Sequence, residues 1–95
     1  MSWWERHRRR FDGEWDSKIE AFAAECDNPT ECKRRVGRYV LWCLCNDRDP
    51  SVANETLMGM YLDGTPKLEA DGLMADRTKE SVRRYVSNWQ GWLQR

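Results

Sequence analysis

A group of basic, hydroxyl and amide side chains near the C-terminus has the composition of a nucleic-acid-binding surface. The group consists of Lys79, Arg83, Arg84, Ser87 and Asn88. Arginine and asparagine can each form two hydrogen bonds with a guanine or adenine edge, whereas lysine and serine suit phosphate oxygens. We therefore take these five residues as candidate nucleic-acid-binding residues.

A second group at the N-terminus combines tryptophan with arginine: Trp3, Trp4, Arg6, Arg8, Arg9 and Arg10. Arginine binds phosphate, and an exposed aromatic ring can stack on a base. Tryptophan and arginine also dominate the binding energy of protein interfaces, which favours a protein partner. A third interpretation is that the arginines pair with the acidic stretch from Asp12 to Asp27. At least one exposed tryptophan ring is expected.

The four cysteines, Cys26, Cys32, Cys43 and Cys45, lack the spacing of a zinc site. Their C-x5-C and C-x-C intervals differ from the usual C-x2-4-C, and on a helix Cys43 and Cys45 point about 200° apart. All four lie within helical patterns, so we expect reduced thiols that fill the core, and no disulfides. We expect no metal and no cofactor.

The sequence lacks the common catalytic motifs. The sequence contains no glycine-rich phosphate loop, no nucleophile elbow and no pair of motifs that would bring an acid and a base together. Aspartate and glutamate are numerous but are spread over polar faces. We expect a protein that is not an enzyme.

Apolar residues at helical spacing predict an all-α fold, a compact bundle of four to six helices in a single domain covering residues 1–95. Ser2 and Glu5 indicate the start of a helix over about 3–26, with Gly13 as a kink or break. Asn28 and Pro29 begin a helix that runs to about Asn46 and forms the centre of the core. Asp49-Pro50 predicts a third helix ending at Asp63-Gly64.

The C-terminal third of the chain resembles a helix-turn-helix unit. Thr65-Pro66 opens a short helix, a polar turn follows over 75–78, and Thr78 caps a final amphipathic helix. The resemblance implies that the final helix lies in the major groove of DNA. Glu80, Arg84 and Ser87 would then point outward, with Lys79, Arg83 and Asn88 at the flanks. The alternative is an ordinary solvated face on a packing helix.

The net charge is zero, so no global attraction to nucleic acid or acidic membranes is expected. Charge is nevertheless segregated, with about +3 over residues 1–10 and about +4 over 77–95, counted from the charged side chains. The chain shows no signal peptide or membrane-spanning segment, and we expect a cytoplasmic protein.

Two functions are consistent with these features. The first is a small helix-turn-helix-like regulator that binds DNA and needs a homodimer for an adequate footprint. The alternative is a non-catalytic helical interaction module, an adaptor or inhibitor that binds and blocks another protein.

Overall fold

The computed structural model describes residues 2–11, 14–63 and 76–94. In these ranges the chain forms five α-helices and no strand: α1 (Trp3–His7), α2 (Trp15–Ala23), α3 (Pro29–Cys45), α4 (Glu55–Asp63) and α5 (Asp76–Leu93). A short 3-10 helix, Arg8–Arg10, continues α1. The all-α prediction is confirmed. The short helix expected after Thr65, and Gly13 as a break, lie outside the described residues.

Both N-terminal cap signals form the hydrogen bonds that the sequence predicts. The Ser2 side chain accepts a hydrogen bond from the backbone N–H of Glu5, and Asn28 accepts one from Glu31 at 3.1 Å. Each cap satisfies a backbone donor that the first helical turn leaves without a partner. Because the signal at Asn28-Pro29 is local, the predicted limits of α3 agree with the structure to within a residue.

The apolar pattern over 3–26 forms two separate helices, α1 and α2, so of the alternatives left open by the sequence the break is the one observed. The 3-10 helix ends at Arg10. The next residue, Phe11, caps it and has an extended backbone with φ −87° and ψ 130°. Phe11 is buried against Trp4, with 5.1 Å between the ring centroids. The chain therefore turns back on α1 to bury this ring, and the apolar spacing that suggested one helix continues in a separate helix, α2.

The start of the third helix was predicted incorrectly. Asp49 caps a turn instead, accepting hydrogen bonds from the backbone and side chain of Ser51 at 2.9 and 2.6 Å. Pro50 is fully buried. The cap of α4 is Asn54, which accepts from the backbone N–H of Leu57 at 2.9 Å. The predicted cap of the last helix was wrong as well. Helix α5 begins at Asp76, so Thr78 lies within the helix and not at its cap.

Helix α3 lies at the centre of the core, as expected, and packs against α1, α2 and α5. Its residues Cys32, Val36, Val40 and Cys43 have no exposed surface. Tyr39, Trp42 and Tyr61 form an aromatic cluster between α3 and α4, with ring centroids 5.3 to 6.3 Å apart. Burial of such rings contributes strongly to the stability of a chain of this size.

Within the described ranges, no helix is both long enough and apolar enough to cross a membrane.

Candidate nucleic-acid interface

Helix α5 has one buried and one exposed face, because its apolar residues recur at helical spacing. Val82, Val86 and Trp89 are at most 2% exposed and pack into the core. The opposite face is solvent-exposed, and we call it the α5 ridge. Its residues are Arg77, Glu80, Arg84, Ser87, Asn88 and Gly91. The outward orientation predicted for Glu80, Arg84 and Ser87 is therefore observed.

Two grooves flank the α5 ridge. The α4–α5 groove, about 320 Å³ in volume, lies beside the N-terminal part of α4. Its lining includes Asn54, Glu55, Met58, Glu80, Arg83, Arg84 and Ser87. The α2–α5 groove, about 570 Å³, is lined by Phe22, Glu25, Cys26, Ser87, Asn88, Gly91 and Trp92. Since Ser87 lines both grooves, this residue marks the crest of the ridge.

The five candidate nucleic-acid-binding residues divide into two sets. Arg84, Ser87 and Asn88 are exposed on the ridge, whereas Lys79 and Arg83 are half-buried at its edge. Arg84 forms no ion pair with any residue that the structure describes. The structure therefore brings three of the five residues together on an accessible surface.

Arg83 has an internal partner that the sequence did not reveal. Its guanidinium lies 2.8 Å from the carboxylate of Glu55, which joins α5 to the first turn of α4. Arg83 is half-buried and Glu55 is largely exposed, so solvent screens the pair and it contributes at most about 1 kcal/mol to stability. It nevertheless neutralises one positive charge beside the ridge.

Gln90 is a structural residue that sequence reasoning missed. Its side-chain amide is buried and donates to the backbone carbonyls of Pro50 and Val52, at 3.0 and 3.2 Å. These bonds fix the α3–α4 connection against α5. The position of Gln90, four residues after Val86, indicates burial, but its partners lie about 40 residues away along the chain.

The N-terminal group does not form the aromatic surface that was expected. Trp3 and Trp4 are only 6% and 3% exposed, so both rings lie in the core and offer little surface to a partner. Trp3 packs over Gly37 and Trp4 packs against Phe11. All six tryptophans lie in the described ranges, and none is exposed. The expectation of an exposed tryptophan ring was therefore also incorrect.

The arginines of this group remain on the surface. Arg6, Arg8, Arg9 and Arg10 are all exposed. Arg8 lies 3.1 Å from the carboxylate of Glu20, which also accepts a hydrogen bond from the Trp4 indole. Pairing with the acidic stretch, one of the three interpretations, is thus observed for Arg8.

The basic stretch at the start of α3 is also partly neutralised within the fold. Arg34 and Arg35 both pair with Glu31, one turn earlier on the same helix. Arg34 and Arg38 line a small groove with Arg6 between α1 and α3. The α5 ridge is consequently the surface on which exposed basic and amide side chains share one long helix face.

The cysteines are free thiols. Cys43 is buried but Cys45 is exposed, so the expectation that all four thiols fill the core is wrong for Cys45, which lies on the opposite side of α3. Cys26 and Cys32, the C-x5-C pair, lie close together with 3.2 Å between their sulfur atoms.

Among the described residues, no cluster of three or more histidine, cysteine or acidic side chains could hold a metal ion. Comparison of the chain with models of known protein families, with curated proteins and with solved structures found no match.

Proposed function

We propose that this chain is a small nucleic-acid-binding regulatory protein that contacts a duplex through the α5 ridge. The observation that carries the proposal is the position of this surface. One face of the 18-residue helix α5 is exposed between two grooves, and it carries Arg84, Ser87 and Asn88.

The dimensions of the α5 ridge suit a duplex. From Arg77 to Gly91 the ridge extends about 21 Å, at a rise of about 1.5 Å per residue. The major groove, about 12 Å wide, admits a single α-helix. The two grooves separate the ridge from α4 on one side and from α2 on the other.

The side chains on the ridge suit base recognition. Arg84 and Asn88 are one turn apart, so both reach in the same direction from the helix. An arginine can bind the O6 and N7 atoms of guanine, and an asparagine the N6 and N7 atoms of adenine. Ser87 lies between them and suits a phosphate or a base edge.

Acidic side chains on and beside the α5 ridge weaken its attraction to a negatively charged duplex. Glu80 lies one turn before Arg84, and Glu55 neutralises Arg83. A single copy therefore offers few phosphate contacts, and we expect weak binding by one chain and tighter binding by a homodimer on two half-sites.

Fluorescence anisotropy with a labelled random duplex at low salt tests this function. The wild type should bind, and Arg84→Ala should weaken binding to the random duplex, because it removes a positive charge from the ridge. On a duplex selected for tight binding, Arg84→Ala and Asn88→Ala should each cost about 1–3 kcal/mol. Arg48→Ala, at an exposed position before α4, is the control and should bind as the wild type does. Affinity should fall steeply with added salt.

The interaction module is the second candidate, and the α4–α5 groove favours it. Two carboxylates, from Glu55 and Glu80, line this groove beside Arg83 and Arg84. Such alternating charge complements a polar peptide better than it complements a uniformly negative duplex.

A pull-down from host lysate, with and without nuclease, distinguishes the two candidates. If the chain is an adaptor or inhibitor, the partner is a protein, nuclease does not release it, and Glu80→Lys releases it. A wild type that binds no duplex at low salt would rule out the nucleic-acid proposal.

A further inference from the structure

We propose that Cys26 and Cys32 form a dithiol site that peroxide-class oxidants convert reversibly into a disulfide. The bond would join the end of α2 to the first turns of α3. The inference concerns the thiols alone and is independent of the proposed nucleic-acid function.

The positions of the two sulfur atoms support the site. The Cys26 thiol donates a hydrogen bond to the Cys32 sulfur at 3.2 Å, and it also lies 3.5 Å from the carbonyl oxygen of Phe22. A disulfide requires a sulfur–sulfur distance of about 2.05 Å. The sulfur atoms therefore need to approach by only about 1 Å.

The backbone between the two cysteines already forms a tight connection. The N–H of Cys26 donates to the carbonyl of Ala23 at 3.0 Å, and the N–H of Cys32 donates to the carbonyl of Asn28 at 3.0 Å. Each cysteine is therefore held by a local turn. The new bond would close a short loop without separating α2 from α3.

The two thiols differ in access to solvent. Cys26 is half-buried and lines the α2–α5 groove, so a small oxidant can reach its sulfur. Cys32 is fully buried, and this burial raises its pKa. Cys32 therefore stays a protonated thiol until its neighbour has reacted.

The chemistry follows from this difference. The Cys26 thiolate attacks one oxygen of hydrogen peroxide, the O–O bond breaks, and the products are a sulfenic acid and hydroxide, which takes up a proton to give water. The Cys32 sulfur then attacks the Cys26 sulfur, its proton passes to the sulfenic oxygen, the S–O bond breaks, and a second water leaves. Two thiols are oxidised and one peroxide is reduced; an external dithiol restores both thiols and is itself oxidised to a disulfide.

Cys45 shows how a cysteine without a neighbouring thiol should react with the same oxidant. All four cysteines lie in the described ranges. Cys45 is exposed, and none of the other three thiols contacts it. An oxidant should convert Cys45 to oxygenated forms or to intermolecular dimers. The Cys45→Ser variant removes these products without changing the buried core.

Mass spectrometry of the full-length Cys45→Ser variant tests the site. Trypsin cleaves after Lys18 and Lys33, so both cysteines remain in one peptide, 19–33. After treatment of the folded protein with a few equivalents of hydrogen peroxide, this peptide should lose the mass of two hydrogens. Dithiothreitol should restore the original mass.

Two double variants complete the test. In Cys26→Ser/Cys45→Ser, Cys32 should remain a free thiol, because the oxidant cannot reach it. In Cys32→Ala/Cys45→Ser, Cys26 should gain oxygen atoms. If Cys32→Ala/Cys45→Ser fails to fold, the results for Cys45→Ser and Cys26→Ser/Cys45→Ser still test whether the disulfide forms. A Cys45→Ser peptide 19–33 that retains both thiols, or that gains oxygen without losing hydrogen, would overturn the proposal.

Discussion

At the scale of single residues, Gly37 controls how closely α1 can approach α3. A Cβ atom at this position would lie 2.8 Å from Cζ3 of Trp3, closer than carbon atoms approach without displacement. The Trp3 ring also stacks on His7, with 4.6 Å between centroids, which limits its movement. The burial of Trp3 therefore depends on the absence of a side chain at Gly37.

Gly37→Ala should lower the free energy of unfolding by about 1–3 kcal/mol, the usual cost of overpacking a rigid core. The gain in helix propensity, at most about 1 kcal/mol, is smaller than this cost. Urea denaturation measures the difference. Gly59→Ala is the matched control, since a Cβ there meets nothing within 4 Å, and it should stabilise the fold. Equal stabilisation by both variants would contradict the account.

At the scale of elements, the α3–α4 connection is held by contacts with α5. Pro50 is buried, and Gln90 donates to the carbonyls of Pro50 and Val52. The position of α4, and with it the wall of the α4–α5 groove, therefore depends on a side chain of α5.

Gln90→Ala should cost about 1–3 kcal/mol, because two backbone acceptors lose their donor. Hydrogen exchange should also become faster in α4. Gln94→Ala, at an exposed position on the same helix end, is the control and should change neither quantity. Unchanged exchange in α4 for Gln90→Ala would show that other contacts hold the connection.

The elements also show what the sequence could and could not predict. The limits of α3 follow from Asn28 and Pro29, because capping is a local interaction. The break after α1 depends on Phe11 packing against Trp4, a contact that helical periodicity does not encode.

The same distinction applies to the candidate site. The exposed face of α5 follows from its apolar spacing, which is why Arg84 and Ser87 were placed correctly. The pairing of Arg83 with Glu55 spans 28 residues and leaves no local pattern. One feature of the sequence could have indicated the burial of Trp3. Gly37, a small residue next to the buried Val36 of α3, leaves room for a large ring.

At the scale of the whole molecule, stability resides in α3 and the side chains that surround it. Val40 is fully buried among residues of α1, α2 and α5. Val40→Asp should unfold the domain, because an unpaired buried charge costs several kcal/mol. Circular dichroism during heating checks this expectation. A soluble variant that melts cooperatively near the wild-type temperature would refute it.

Alkaline pH should also destabilise the core. Burial raises the pKa of Cys43 from 9.0 to about 11 and that of Tyr61 from 10.0 to about 12. The folded state thus holds both protons more tightly than the unfolded state, so stability is complete below pH 9 and falls as the pH rises toward 12. The urea midpoint measured between pH 7 and 12 should decrease over this window. Tyr61→Phe should reduce the loss above pH 10, and a midpoint that stays constant to pH 12 would contradict the prediction.

The most direct test of the central claim is an NMR titration of the ¹⁵N-labelled chain with a duplex at low salt. We expect amide shifts concentrated at Arg84, Ser87, Asn88 and Gly91, with little change in α1 or at the 3-10 helix. The shifts should disappear as salt is added. A spectrum that does not change with excess duplex, or shifts confined to Arg8–Arg10, would contradict recognition through the α5 ridge.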